Sequence, residues 1–160
     1  MELIHHRALL VLFGIITFIR SMIDIQFINF YMTEPRERDK PAVILTIILF
    51  TLLLSGTIAL WNKKKTSIYF LSIYSAFYAI IYAGVFLHYF EIIKIDRSYQ
   101  DLVYPVYTFI TGIILSSIFL LILWALFEVG KSSDFKTNKY YLSGVVLFSF
   151  ITAITLIFTF

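Results

Sequence analysis

Five long apolar stretches separated by short charged breaks leave this chain few ways to fold. A helix needs about 20 residues, at ~1.5 Å rise each, to cross ~30 Å of hydrocarbon. Stretches of that length run over 8–31, 41–61, 66–90, 103–127 and 140–160. The first is the least uniform, because Arg20, Asp24, Gln26 and Asn29 interrupt it. Pro41 opens the second, where a missing N–H costs a helix little. The stretches are continuously apolar and do not alternate, which argues against a transmembrane β-barrel.

Composition agrees with lipid as the solvent. Apolar residues make up 60% of the 160 residues and charged ones 14%, against about 45–50% and about 25% in soluble domains. A globule this small has too much surface for its volume to hide that much apolar side chain from water. The breaks at Thr33–Lys40, Asn62–Lys65, Glu91–Asp101 and Glu128–Lys139 are short, so consecutive helices should be antiparallel neighbours. No internal repeat or linker divides the chain. The expected fold is all-α: one transmembrane domain over 1–160, an up-down bundle of about five membrane-spanning helices.

Arg7 followed by Ala8 to Ile19 imitates a signal peptide, but Arg20 comes next instead of a small-x-small cleavage site, so no cleavage is expected. Lysine and arginine in the short loops set orientation. Arg7, Lys63, Lys64, Lys65, Lys131, Lys136 and Lys139 fall on one side, and Arg36, Arg38, Lys40, Lys94 and Arg97 on the other. This majority places the N-terminus in the cytoplasm and the C-terminus outside, with a bacterial inner (plasma) membrane as the default location. The net charge of +3 reads as this topology signal, so no nucleic-acid partner is expected. The Lys63–Lys64–Lys65 run also suits anionic headgroups.

Arg20 and Asp24, at i and i+4, share a helix face and can pair. Each costs roughly 2.5–3.5 kcal/mol at the centre of a span on insertion scales, so such residues usually face a protein interior or a water-filled cavity. Thr17 and Ser21 lie on the same face. Antiparallel packing should bring other polar residues to similar depth: Thr46; Tyr78, Tyr82 and His88; Tyr104, Thr108 and Thr111; and Thr152, Thr155 and Thr159. The expectation is an outward-facing polar pocket with the ion pair at its base, lined by Arg20, Asp24, Tyr78, Tyr82, His88, Thr108, Thr111 and Thr152. The simpler account is interhelical packing, in which the pair locks the first helix to its neighbours, Arg20 snorkels outward, and hydroxyls bridge helices. Ser75, Ala79 and Ala83, and Gly112 and Ser116, recur at four-residue spacing and would let backbones approach, within the bundle or between copies.

No cofactor or metal site is expected. His5 and His6 are adjacent and point to different sides of a helix, and His88 lies a bilayer thickness away. The absence of cysteine removes disulfides, thiolate metal ligands and cysteine nucleophiles. The sequence has no phosphate-binding glycine loop, His-Glu-x-x-His or nucleophile elbow.

Three function classes follow. The first is a non-enzymatic membrane-embedded subunit, partnered by the bilayer and by copies of itself or other chains in a membrane complex. The second, overlapping it, is a homo-oligomeric channel or transport component using the polar pocket. The third is an enzyme acting on a lipid or quinone at the outer leaflet, with Asp24 or His88 as general base and Arg20 holding an anionic headgroup, which requires all three to be close. In length and span count the chain resembles the translocator-protein family. It has two tryptophans, and its first loop reads Thr33-Glu34-Pro35-Arg36-Glu37 where that family carries a Trp–Pro signature. No residue role is carried over from that resemblance.

Overall fold

A computed structural model describes residues 2–33, 40–89, 109–131, 135 and 137–158. Their regular structure is entirely α-helical: α1 (Glu2–Thr33), α2 (Lys40–Trp61), α3 (Thr66–Tyr89), α4 (Phe109–Gly130) and α5 (Lys139–Phe158). Helix is the form that satisfies every backbone N–H and C=O within one segment, as hydrocarbon requires. Four of the helices are long and apolar enough to cross a membrane, and the fifth is apolar but shorter over Lys139–Thr155.

Two boundaries differ from the apolar stretches. Helix α1 begins at Glu2, ahead of Ala8, and α4 continues to Gly130, past Phe127. Hydropathy marks where lipid-compatible side chains stop, whereas a helix continues until its backbone is capped. The expected start of the fourth span at Val103 lies outside the described residues.

The ends have identifiable caps. After α2, Lys64 N–H donates to Ala59 C=O at 2.8 Å and Lys63 N–H to Leu60 C=O at 3.0 Å. Lys63 carries φ 50°, and this is a Schellman turn with a lysine in the left-handed position that usually takes glycine. Helix α4 closes at Gly130, whose carbonyl accepts from Thr137 N–H at 2.9 Å and from Thr137 Oγ1 at 2.7 Å. Asn138 caps α5, its Oδ1 accepting from the N–H groups of Tyr140 (3.0 Å) and Tyr141 (3.3 Å).

Helix α3 is the centre of the bundle and packs on α2, α4 and α5, while α1 packs chiefly on α2. Among the four membrane-length helices α3 is the least apolar and the most buried. That order suits lipid and not water: polar groups turn inward and apolar ones outward. Ser67, Ser72, Ser75 and Asp24 are buried, while Val11, Phe18, Met22, Leu121 and Phe148 are exposed. In water those exposed side chains would form large apolar patches. The chain is therefore an integral membrane helical bundle. Trp61, the last residue of α2, and Trp124 are also exposed.

Small residues set the helix separations. A Cβ on Gly56 would lie 2.7 Å from Leu71 Cδ2, so α2 and α3 approach through that glycine. Between α3 and α4, Ser116 Oγ donates to Ala79 C=O at 3.0 Å. These two members of the small-residue pattern therefore meet inside one chain. At one end of the bundle, buried His6 donates from Nε2 to Leu60 C=O at 3.0 Å, and its ring lies 5.6 Å from that of Phe135. One side chain thus joins the start of α1, the end of α2 and the link between α4 and α5.

Candidate buried charge site

The site starts from a helical spacing. On α1, Arg20 and Asp24 stand one turn apart, and Arg20 Nη2 donates to Asp24 Oδ1. Their side chains are 12% and 4% exposed, so the pair faces the bundle and not the lipid. On α3, Tyr74, Tyr78 and Tyr82 repeat every four residues and form a ladder along one face, with ring centroids 4.7 Å and 5.8 Å apart. Helix α4 adds Phe119, stacked on Tyr78 (5.5 Å, 24°) and Tyr82 (5.7 Å, 20°). The guanidinium carbon of Arg20 lies 4.8 Å from the centroid of Tyr78. Three helices thus meet at one charge: α1 supplies it, α3 gives it an aromatic face, and α4 backs that face.

A buried ion pair loses hydration on both charges, and its mutual attraction offsets this only where further contacts satisfy the remaining donors. Here Asp24 occupies one Nη of Arg20, and the electron-rich face of Tyr78 attracts the rest of the cation. Satisfaction is incomplete. Arg20 Nε, Tyr74 Oη, Ser72 Oγ and Ser75 Oγ are buried with no hydrogen-bond partner among the described residues. An unpaired buried polar group typically costs about 1–3 kcal/mol, so these four groups among the described residues weigh against the stability of the core.

Of the residues expected to line one pocket, Arg20, Asp24, Tyr78 and Tyr82 come together. Thr152 does not join them. It lies on α5 along a separate groove against α3, with its hydroxyl donated to Phe148 C=O at 2.8 Å. The reason is topological: α5 packs on α3, and α1 packs on α2. Thr108, and the side chains of His88 and Thr111, lie outside the described residues. Thr46 is buried but donates to Ala42 C=O of its own helix at 2.8 Å. Thr17 reaches Thr57 Oγ1 on α2 at 3.1 Å, and Ser21 donates to Phe18 C=O on the exposed side of α1.

Tyr74 and Phe119 were not among the expected residues. Tyr74 was accessible to the same argument that selected Tyr78 and Tyr82, since it stands four residues before Tyr78. Phe119 is one of 17 phenylalanines and carries no distinguishing signal. Only the packing of α4 on α3 selects it.

Chemically, the cluster can hold a fixed positive charge beside an exchangeable negative one, with phenol hydroxyls alongside. No protein-family model, curated protein or solved structure matches this chain.

Proposed function

We propose that this protein is a non-enzymatic membrane-embedded subunit, a transport or channel component working in copies of itself or within a larger membrane complex. In this reading the Arg20–Asp24–tyrosine cluster is its working site. The observation that carries it is the burial of a complete ion pair inside the bundle, with Arg20 Nε and Tyr74 Oη beside it lacking partners among the described residues. Ionisable residues inside membrane spans are expensive, and are functional-site candidates by default. An arriving anion would compete with Asp24 for Arg20, and an arriving proton would neutralise Asp24. Either event loosens the pair and frees the guanidinium beside the tyrosines. The loop charges favour a cytoplasmic N-terminus, with the C-terminus outside.

The test is flux through proteoliposomes carrying the purified chain, read with pH-sensitive and halide-sensitive dyes under an imposed gradient. The expected result is a proton or halide flux above that of empty vesicles, lost in Asp24→Asn and Arg20→Gln. Absence of flux, or flux unchanged in both variants, overturns the working-site assignment. Should either single variant fail to accumulate, Arg20→Met with Asp24→Leu removes both charges together and separates folding from flux. Native mass spectrometry in mild detergent reads the assembly. A discrete oligomer or a co-purifying chain supports the subunit reading, and a lone monomer counts against it.

A further inference from the structure

Between α3 and α5 runs a groove of about 490 Å³ that none of Arg20, Asp24, Tyr74, Tyr78 or Tyr82 lines; its walls include Ile73, Phe77, Gly144, Val145, Phe148 and Thr152. Its serine and threonine present little polarity to it, because Ser149 Oγ donates to Val145 C=O and Thr152 Oγ1 to Phe148 C=O, each at 2.8 Å, and its two tyrosines, Tyr140 and Tyr141, stand at the first turn of α5. An occupant at this depth is therefore apolar. From Tyr141 to Thr152 the groove follows α5 for about 16 Å at ~1.5 Å per residue, roughly half of a ~30 Å hydrocarbon core. That is the depth of one leaflet.

The mouth has a different chemistry. Tyr69 of α3 meets Tyr141 of α5 edge to face at 5.3 Å, so the first turns of the two helices stand side by side. Lys64 and Lys65 immediately precede α3, and Lys139 is the first residue of α5. All three are exposed, and Lys139 Nζ lies 5.1 Å from the ring centroid of Tyr140. Three cations and two exposed tyrosines thus gather where the groove meets the headgroup layer. Tyrosine prefers that depth, and lysines there attract anionic headgroups.

We propose that the α3–α5 groove binds one acyl chain of an anionic phospholipid, with Lys64, Lys65 and Lys139 holding its phosphate. Charge complementarity favours a lipid over a second copy of the chain. Two copies meeting through this groove, both oriented the same way in the membrane, would bring identical lysine clusters together.

Gly144 makes the proposal testable. A Cβ built there meets no atom within 4 Å, so a larger side chain fills the groove without displacing the protein. The experiment is native mass spectrometry of the full chain in detergent, with phosphatidylglycerol or phosphatidylcholine added at equal concentration. Wild type should retain one phosphatidylglycerol in preference to phosphatidylcholine. Gly144→Leu should lower the retained fraction at least tenfold, and Gly144→Ala should not. The combined exposed substitutions Lys64→Gln, Lys65→Gln and Lys139→Gln should erase the preference, by roughly fivefold per lysine. This second arm does not depend on how the groove packs. Equal retention of both lipids by wild type overturns the proposal, as does wild-type retention by Gly144→Leu. So does a dimer that Gly144→Leu dissociates, since the groove would then belong to a second copy.

Discussion

The guanidinium of Arg20 lies 4.8 Å from the ring centroid of Tyr78 while also donating to Asp24 one turn along its own helix. The cation is held by two unlike partners, a carboxylate on α1 and a π face on α3. Removing them one at a time should give different results.

Asp24→Ala leaves a buried guanidinium without its counter-charge and should destabilise the bundle by about 3–5 kcal/mol, the usual penalty for breaking a buried pair. Arg20→Met with Asp24→Leu removes both charges and should be neutral or stabilising by about 1–4 kcal/mol. Detergent-solubilised variants followed through a thermal or SDS titration supply the cycle. A double variant as unstable as Asp24→Ala would show that the pair contributes more than charge compensation.

Tyr78 tests the aromatic half. Tyr78→Phe keeps the ring under Arg20 and against Phe119, and should stay within about 0.5 kcal/mol of wild type in the same titration. Tyr78→Leu removes both ring interactions. It should cost about 1–3 kcal/mol, combining the cation–π contact with the aromatic pair. Equal losses in the two variants would mean that the hydroxyl, and not the ring, carries the contribution.

Two glycines should respond in opposite directions to the same methyl group. At Gly56 the new Cβ would sit 2.7 Å from Leu71 Cδ2 and 3.3 Å from Phe70 Cβ. Leu71 is itself fully buried, so Gly56→Ala should cost about 1–3 kcal/mol as overpacking. Nothing lies within 4 Å of the corresponding point on Gly14. Gly14→Ala should therefore stabilise α1 by up to about 1 kcal/mol through helix propensity alone. Melting temperatures of the two variants should move apart, and a common shift would contradict the α2–α3 contact.

The absence of cysteine makes the topology directly measurable. His6 joins Leu60 and Phe135, and Tyr69 meets Tyr141, so the end of α2, the start of α3, Phe135 and the start of α5 share one end of the bundle. Lys64→Cys and Lys131→Cys should label with a membrane-impermeant maleimide from the same side, expected to be the cytoplasmic one. Labelling from opposite sides would break the antiparallel order of the helices.

The apolar stretches alone determined that the chain is a set of membrane-length helices, because hydrocarbon leaves the backbone no other open-chain solution. They also located most helix ends to within a few residues. Hydropathy does not register the start of α1 at Glu2 or the end of α4 at Gly130, whose carbonyl Thr137 caps. The i, i+4 rule was enough to pair Arg20 with Asp24, and to align Tyr78 with Tyr82, since each relation lies within one helix. Which helices would meet was beyond that rule. Five apolar helices can be ordered around one another in many ways, and lipid is nearly indifferent among them. Only the tertiary structure put α3 at the centre, set Arg20 over Tyr78, chose Phe119 from among the phenylalanines, and carried Thr152 to a different groove. Local spacing determines what a helix can present. The packing of small residues such as Gly56 and Ser116 decides what it is presented to.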